Sequence, residues 1–267
     1  MKTAAPASLD PAADAMTSVS VSTGTGYGNG DGDGDGDGTG GRLRCISSMA
    51  TRQLIDVLAS AYTKRTGWVI HIESVGGVDA ARRVQAGEPF DVVFLASAAL
   101  DKLIASGHVL PMSKRELAHS GVAVAVRAGQ TAPDISSEAA VRQAVLAAPS
   151  LSYSTGPSGV ALVQLFERWG IAQQIQPRIT VPPPGVPVGA LLARGEVALG
   201  FQQFSELIHV EGITVLGPLP PAIQITTTFC AGCCSTSAQA GAVQALLDFM
   251  AGPDAADAKR QQGMEPA

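Results

Sequence analysis

The stretch LRCISSMATRQLIDVLASAYTKRTG (residues 43–67) carries the pattern that decides the fold. It opens as an apolar strand, passes through a serine-containing turn, and continues as a helix with apolar residues at helical spacing, namely Leu54, Ile55, Leu58 and Tyr62. Gly67 stands where such a helix would end. One strand-turn-helix unit is therefore predicted here.

The same unit occurs twice more along the chain. WVIHIES (68–74) predicts a strand followed by the helix DAARRVQAG (79–87), and DVVFLAS (91–97) predicts a buried strand followed by AALDKLIASG (98–107). Three consecutive units require right-handed crossovers and a parallel sheet. The predicted fold class is α/β.

The chain changes character after Pro111. Strands are predicted in four further stretches and helices between them, the strands being HSGVAVAVRAG (119–129), LSYST (151–155), VALGFQQFSEL (197–207) and AIQITTTFCAGCCS (222–235). Residues 120–215 thus predict a second α/β lobe. Two closing helices, hinged at Gly252 and Pro253, are predicted to pack back on the first lobe.

Charge is unevenly distributed along the 267 residues. The chain has 18 basic and 23 acidic residues, and six Asp and one Lys precede Gly41, which leaves 17 of each sign afterwards. A neutral body argues against nucleic acid and against the membrane surface as partners. Residues 17–41 are almost wholly Gly, Asp, Ser and Thr, and the Gly/Asp-rich tail, residues 1–41, is predicted to be disordered.

Neither a signal peptide nor a membrane span is predicted, because Lys2 is followed by no apolar run. As written, the chain is expected in the cytoplasm; a start codon further upstream would permit a periplasmic or other extracytoplasmic location. The four cysteines lack a second ligand pair at zinc-ribbon spacing, so they are expected to be small packed residues. No metal and no cofactor are predicted.

Turns that follow strands are where an open α/β sheet binds ligands. In this chain such turns hold neutral donors or small residues that expose backbone N–H groups at helix starts, an arrangement that favours anions. The predicted ligand-binding residues are Ser47, Ser48, Ser74, Gly76, Gly77, Val78, Ser97, Thr155, Ser158, Gly159, Gln202 and Gln203.

Signals for catalysis are sparse. The sequence has no nucleophile elbow, phosphate-binding loop, HExxH motif or dinucleotide fingerprint. Acid–base candidates near the turns are His71, Glu73, Asp79, Tyr153, Glu206 and His209, each with an ordinary surface or capping role as the alternative. Arg82 or Arg83 could reach a carboxylate as a bidentate partner, and the alternative for either is a solvated helix face.

Several blocks resemble the molybdate-binding-protein-like family of type II periplasmic solute-binding proteins. They are the Ser47-Ser48 turn, VQAGEPFDVVFLAS (84–97), SGVAVAVRAG (120–129), YSTGPSGVAL (153–162), ARGEVALGFQQFSEL (193–207) and ALLDFMAGPDAADAKRQQGMEPA (245–267). The resemblance implies a two-lobed clamp, with residues 42–119 plus 224–267 as lobe I and residues 120–223 as lobe II. It also implies crossing strands near Leu117–Val122 and Gln224–Phe229.

By position, the family's oxyanion ligands correspond to Ser48, the Gly77-Val78 turn, Ala96 or Ser97, and Ser158. The family's tyrosine after the last strand of lobe II is missing, and Gln202 and Gln203 stand near that point. Amide donors suit a larger organic anion, since they can divide among several acceptors. The expected partners are a small anionic ligand and, if the protein is exported, an ABC permease; the expected state is a monomer.

A second resemblance is to bacterial aconitate isomerases, carried by SGVAVAVRAG with PDISS (120–129 and 133–137), the YS and SGV of residues 153–160, and LGFQQ at 199–203. It implies an intramolecular isomerase that shifts an allylic proton between trans- and cis-aconitate. The main expectation is a solute-binding protein for a small oxyanion or a di- or tricarboxylate, and the isomerase is the alternative. The sequence identifies no catalytic residue.

Overall fold

The computed structural model describes residues 40–183 and 186–267, so residues 1–39 of the predicted tail lie outside the described residues, whereas Gly41 accepts a hydrogen bond from the Val69 backbone N–H. The β-strands are β1 Arg42–Ser48, β2 Val69–Val75, β3 Val92–Ala96, β4 Arg115–Arg127, β5 Leu151–Tyr153, β6 Leu199–Gln203, β7 Ile213–Pro218, β8 Thr226–Cys233 and β9 Glu265–Pro266. The α-helices are α1 Arg52–Thr66, α2 Gly77–Gln85, α3 Ser97–Ala105, α4 Glu138–Ala147, α5 Pro157–Arg168, α6 Ala172–Ile175, α7 Val188–Arg194, α8 Phe204–Leu207, α9 Ala240–Ala251 and α10 Ala256–Gln261. None of these helices has the length and apolar character needed to cross a bilayer.

The parallel sheet predicted from the first three units is confirmed. Strand β1 lies between β2 and β3 and is parallel to both, with Ser47 opposite Ser74 on one side and Phe94 on the other. Helix α1 ends at Gly67, whose φ of 77° is the left-handed conformation that glycine adopts at little cost. The carboxyl ends of β1, β2 and β3 therefore meet at one edge.

Strand β4 connects two halves of the sheet, whose order is β2-β1-β3-β8-β4-β6-β5. Over Arg115–Gly121 it pairs antiparallel with β8, and over Val122–Arg127 it pairs with β6 and β7. One continuous strand thus enters both hydrophobic regions. The result is a two-lobed α/β fold.

The alternation of valine and alanine in β4 sorts side chains by size, because both faces of the strand are buried. Val122 and Val124 lie in the core with Phe166 and Phe201, whereas the alanines face α7. Helix α7 packs so closely that a Cβ at Gly200 would lie 2.6 Å from Leu192 Cδ1. The alternation correctly predicted a strand. It usually also indicates one polar face, but residues 122–126 of β4 are buried on both faces.

Three local predictions need correction. The strand predicted from residue 119 begins earlier, at Arg115, where it already pairs with β8. The strand predicted over 197–207 is wrong at its end: residues 204–207 form helix α8, and Leu207 packs against α7. Strand β7, edge-paired to β4, was not predicted, because Gly212 and Pro218 make its segment resemble a loop.

The four cysteines are packed as predicted. Cys45, Cys230, Cys233 and Cys234 are buried and free, and burial raises the pKa of each thiol. Within residues 40–183 and 186–267, no group of three or more His, Cys, Asp or Glu is close enough to hold a metal ion. Cys230, Cys233 and Cys234 are thus buried core residues at the end of β8 and directly after it.

Candidate functional site

The turn after β1 holds a compact hydroxyl cluster. Ser47 Oγ lies 2.8 Å from Thr51 Oγ1, and Ser48 Oγ lies 3.2 Å from the same atom. All three residues are buried, and Ser47 Oγ and Thr51 Oγ1 both also donate to the Ser48 carbonyl. The cluster places neutral hydroxyl groups at the edge where β1 ends, and the Ser48 hydroxyl is the one that does not donate to the Ser48 carbonyl.

The start of α2 lies beside this cluster. A Cβ at Gly77 would be 3.6 Å from Ser48 Cβ, which brings the predicted Gly77 turn and Ser48 together. Gly76 precedes the helix and Val78 is 75% exposed, while Ser74 remains in β2 opposite Ser47. Two of the predicted turns therefore meet as expected from a parallel sheet.

Ser97 has different partners. Its hydroxyl accepts a hydrogen bond from Lys114 Nζ at 2.9 Å, and that ammonium also lies 2.6 Å from Asp101 Oδ1. The Asp101 carboxylate raises the pKa of Lys114. Ser97 thus belongs to a charged group beside α3, and its role in a ligand site stays a prediction.

In the second half, the start of α5 forms a tight turn. Ser158 Oγ lies 2.9 Å from Ser154 Oγ, and a Cβ at Gly159 would lie 1.6 Å from the Ser154 carbonyl oxygen. Only glycine fits at residue 159. Ser158 is buried, whereas Thr155 is exposed and has no hydrogen-bond partner among the described residues.

Gln203 is the last residue of β6, and one atom of its side-chain amide has no hydrogen-bond partner among the described residues. Nε2 donates to Thr227 Oγ1 at 2.7 Å, but the buried Oε1 has no partner among the described residues. Thr227 lies on β8 opposite Ser120 of β4. A buried amide atom without a partner is costly, so a ligand or water that bonded it would be stabilised.

Gln202 points to the opposite face, as alternation along a strand requires. Its Oε1 accepts from the Gly189 backbone N–H at 3.3 Å, and its Nε2 donates to Glu206 Oε1 at 2.9 Å. Burial raises the pKa of the Glu206 carboxyl to about 7, although the Gln202 hydrogen bond lowers it. This carboxyl changes charge near neutral pH.

Ser205 joins the two halves of the molecule. Its hydroxyl donates to the Ala50 carbonyl oxygen at 3.0 Å and lies 3.4 Å from Ser120 Oγ. Ala50 follows the Ser47-Ser48 turn, so the end of β6 lies next to the turn after β1. Ser47, Ser48 and Gln203 thus flank one junction of neutral hydroxyl and amide groups.

Most of the other acid–base candidates have partners outside this junction. Glu73 pairs with Arg44 and Arg83, whose hydrogen bonds lower the pKa of its carboxyl, and Arg83 also pairs with Glu88. Asp79 pairs with Arg82, and His209 Nε2 lies 2.9 Å from Gln262 Oε1. His71 is exposed, and burial raises the pKa of Tyr153.

Four residues of the junction were not singled out from the sequence: Thr51, Ser120, Ser205 and Thr227. A hydroxyl inside a strand or helix carries no local signal of a site, and only the register of β4 with β8 places Ser120 opposite Thr227. The helix α7 was predicted from PVGALLARG (187–195), but the contact of its Gly189 N–H with Gln202 was not. Surface depressions beside Tyr62 and Phe249, and beside Arg127 and Pro149, contain none of the predicted ligand residues.

Comparison with known proteins agrees with this architecture. Residues 43–265 match the family model described as bacterial extracellular solute-binding protein. An aconitate isomerase from Pseudomonas sp. is 40% identical over 230 residues, which cover 84% of this chain and 87% of that protein.

Solved structures with the same fold are more distant in sequence. The periplasmic molybdate-binding protein of Azotobacter vinelandii has a TM-score of 0.70 at 22% identity, over 83% of this chain and 98% of that one. A sulfate-binding protein of Mycobacterium tuberculosis has a TM-score of 0.70 at 16% identity, over 85% and 87%. Both resemblances inferred from the sequence are thereby confirmed, and this chain belongs to the bacterial extracellular solute-binding protein family.

Proposed function

We propose that this protein binds a small di- or tricarboxylate anion at the junction of its two lobes. The observation that carries the proposal is the buried Gln203 amide, of which one end contacts Thr227 and the other has no partner. Rotating the amide by 180° would place Oε1 on the Thr227 hydroxyl and turn Nε2 toward the unpartnered position. A carboxylate there would then accept a hydrogen bond.

The Gln203 amide, which reaches further than the neutral hydroxyls around it, supports an organic anion over a compact oxyanion. Hydroxyls and backbone N–H groups can satisfy a tetrahedral oxyanion alone, whereas a tricarboxylate spreads its acceptors and needs longer donors. The solved relatives named for molybdate and sulfate make anion binding common to this fold. Gln203 lies near the position of the family's tyrosine and has an unpartnered amide end, which favours the larger ligand.

A thermal-shift panel of molybdate, tungstate, sulfate, citrate, cis-aconitate and trans-aconitate tests the proposal. A ligand at a hundred times its dissociation constant stabilises the native state by about 2.7 kcal/mol. We expect carboxylates to stabilise more than molybdate, and Gln203→Ala to remove most of that difference. Gln130→Ala, at an exposed loop glutamine, is the matched control. Tight molybdate binding without any carboxylate response would refute the proposal.

A second candidate function is aconitate isomerisation. The observation that favours it is the 40% identity to a protein named aconitate isomerase, over most of both chains. Interconversion of trans- and cis-aconitate, followed by absorbance of the conjugated double bond, tests this candidate directly. Stabilisation by aconitate without interconversion at high protein concentration would leave a carboxylate-binding protein.

For the lobes, we propose residues 42–119 plus 224–267 and residues 120–223, with β4 and β8 as the crossing strands between them. The antiparallel pairing of Arg115–Gly121 with β8 supports this division. Limited proteolysis with and without ligand tests it, since closure should protect the crossing segments.

We propose a location outside the cytoplasm, which the family description supports, and delivery of the ligand to an ABC permease, as the name of one solved relative suggests; we also propose that the protein is a monomer. Osmotic-shock fractionation of cells that express the full chain tests the location. Size-exclusion chromatography tests the monomer.

A further inference from the structure

The buried Gln203 amide is held by a residue of a different strand. Its Nε2 donates to Thr227 Oγ1 at 2.7 Å, and Thr227 belongs to β8, which runs between the two lobes. Within residues 40–183 and 186–267, the Gln203 side chain forms no other hydrogen bond, and its Oε1 is buried without a partner. The orientation of this amide therefore depends on the Thr227 hydroxyl.

The register of β8 with β4 explains why Thr227 faces the junction and its neighbour does not. Residues directly opposite each other on antiparallel strands lie on the same face of the sheet. Thr227 is opposite Ser120, whose Oγ lies 3.4 Å from Ser205 Oγ at the junction. Thr228 is opposite His119, and its Oγ1 lies 3.0 Å from His119 Nδ1. Two adjacent threonines thus place the same side chain at the junction and away from it.

A hydroxyl group can hold either end of an amide. The Thr227 hydroxyl can accept a hydrogen bond from Nε2 of Gln203, or it can donate one to Oε1. In the second arrangement, Nε2 is free to donate to a carboxylate, while Oε1 stays bonded. A side chain without a hydroxyl at residue 227 would leave the amide free to rotate, and binding would then include the cost of ordering it.

Neutral groups alone set the polarity of this part of the junction. Among the described residues, no lysine or arginine forms a hydrogen bond or an ion pair with the side chains of Gln203, Thr227, Ser120 or Ser205. The Glu206 carboxyl is bonded by Gln202, which points to the other face of β6. The orientation of the Gln203 amide must therefore supply what a cation would supply elsewhere, a donor directed at the anion.

We propose that Thr227 is the positioning residue that orients the Gln203 amide toward a ligand carboxylate, an inference that rests on the carboxylate binding proposed above. Gln203 makes the contact with the ligand, and Thr227 acts through Gln203. The preference for carboxylates over a compact oxyanion then depends on the hydroxyl group at residue 227. A tetrahedral oxyanion bound by the serine hydroxyls and backbone N–H groups would not depend on it.

Thr227→Val is the decisive variant, because valine has nearly the same shape as threonine and lacks the hydroxyl. Isothermal titration with trans-aconitate should show that the affinity falls at least about 10-fold. Thr227→Ser retains the hydroxyl and should restore most of the affinity. Thr228→Val, which removes a hydroxyl from the other face of β8, is the matched control and should bind as the wild type does.

A double-mutant cycle with Gln203→Ala separates positioning from a merely structural role. If Thr227 acts through the amide, Thr227→Val should have almost no further effect once the amide is absent. If it acts on the fold or directly on the ligand, the affinity should fall by the same factor in both backgrounds. Thermal shift at high trans-aconitate concentration keeps weak binding measurable. Thr227→Ala, compared in the same way, replaces Thr227→Val if the valine variant does not fold.

The outcomes separate the two proposals. Wild-type protein that shows no thermal shift with any carboxylate refutes carboxylate binding, and with it the role of Thr227. Unchanged trans-aconitate affinity in a folded Thr227→Val variant refutes the role of Thr227 and leaves carboxylate binding intact. Equal losses with and without the Gln203 amide also refute positioning. Loss in Thr227→Val, recovery in Thr227→Ser and non-additivity with Gln203→Ala together are the result expected.

Discussion

The starts of α2 and α5 provide matching backbone turns in the two halves of the molecule, but they differ in how tightly they are packed. A Cβ at Gly77 would make ordinary contact with Ser48 at 3.6 Å, whereas a Cβ at Gly159 would overlap the Ser154 carbonyl oxygen. Ser154 is in turn tied to β6 through Phe201. The turn in the first half can therefore accommodate change, and the turn in the second half cannot.

The two halves also differ in how well the charge of a carboxyl group is compensated. In the first half, Glu73 is matched by two arginines, and its pKa is lowered. In the second half, Glu206 is bonded by the Gln202 amide and by no cation of the described residues, and burial raises its pKa to about 7. The first half satisfies its polar groups internally, whereas the second leaves Gln203 and Glu206 incompletely satisfied. Ligand-dependent behaviour is therefore expected to depend most on the second half.

The largest effect should come from Gly159→Ala. Overlap with a fixed carbonyl oxygen is expected to lower the free energy of unfolding by about 3 kcal/mol, measured by urea denaturation. Gly77→Ala is the matched variant and should change it by less than about 1 kcal/mol. Equal losses in the two variants would show that the turns do not differ in packing.

Glu206→Gln should raise stability at alkaline pH. Because the folded pKa is above the ordinary value, the native state holds a proton that the unfolded state has lost, and stability falls as the pH rises from about 4.5 to about 7. A neutral amide avoids this cost. We expect a gain of about 2 kcal/mol at pH 8.5 and almost none at pH 4, measured by urea denaturation at both pH values. A gain that is independent of pH would contradict this prediction.

Ser48→Ala and Ser158→Ala should each weaken anion binding by about 1 to 3 kcal/mol, the usual range for a hydrogen bond to a charged group. Isothermal titration with the best ligand of the thermal-shift panel measures this. Ser97→Ala is the comparison, because the Ser97 hydroxyl already accepts from Lys114. If only Ser97→Ala weakened binding, the ligand would lie beside α3.

Glu73→Gln should have the smallest effect, with the opposite sign to Glu206→Gln. Its lowered pKa means that the ionised carboxylate stabilises the folded state above the ordinary pKa, and that this contribution is lost as the pH falls through the folded pKa. We expect a loss of about 1 kcal/mol at pH 7, in the range for partly exposed ion pairs. The urea titrations used for Glu206→Gln measure it, and an unchanged stability would mean that Arg44 and Arg83 find other partners.

Much of this protein could be predicted from local patterns in the sequence. The strand-turn-helix unit of residues 43–67 depends on nearby apolar spacing, and it recurs in the structure as β1 and α1 with Gly67 at the helix end. The parallel pairing of β1, β2 and β3 follows from connectivity and chirality, which are also local. The serine and glycine turns at the ends of these strands were recognised for the same reason.

The junction between the halves depended on tertiary structure. Nothing near Ser120, Ser205 or Thr227 in the sequence marks them, because they meet only through the register of β4 with β8 and the fold of residues 204–207 into a helix. The pKa of Glu206 likewise reflects how many distant groups enclose it. Local spacing determined the elements and their turns, whereas long-range packing decided which polar groups were paired and which were left for a ligand.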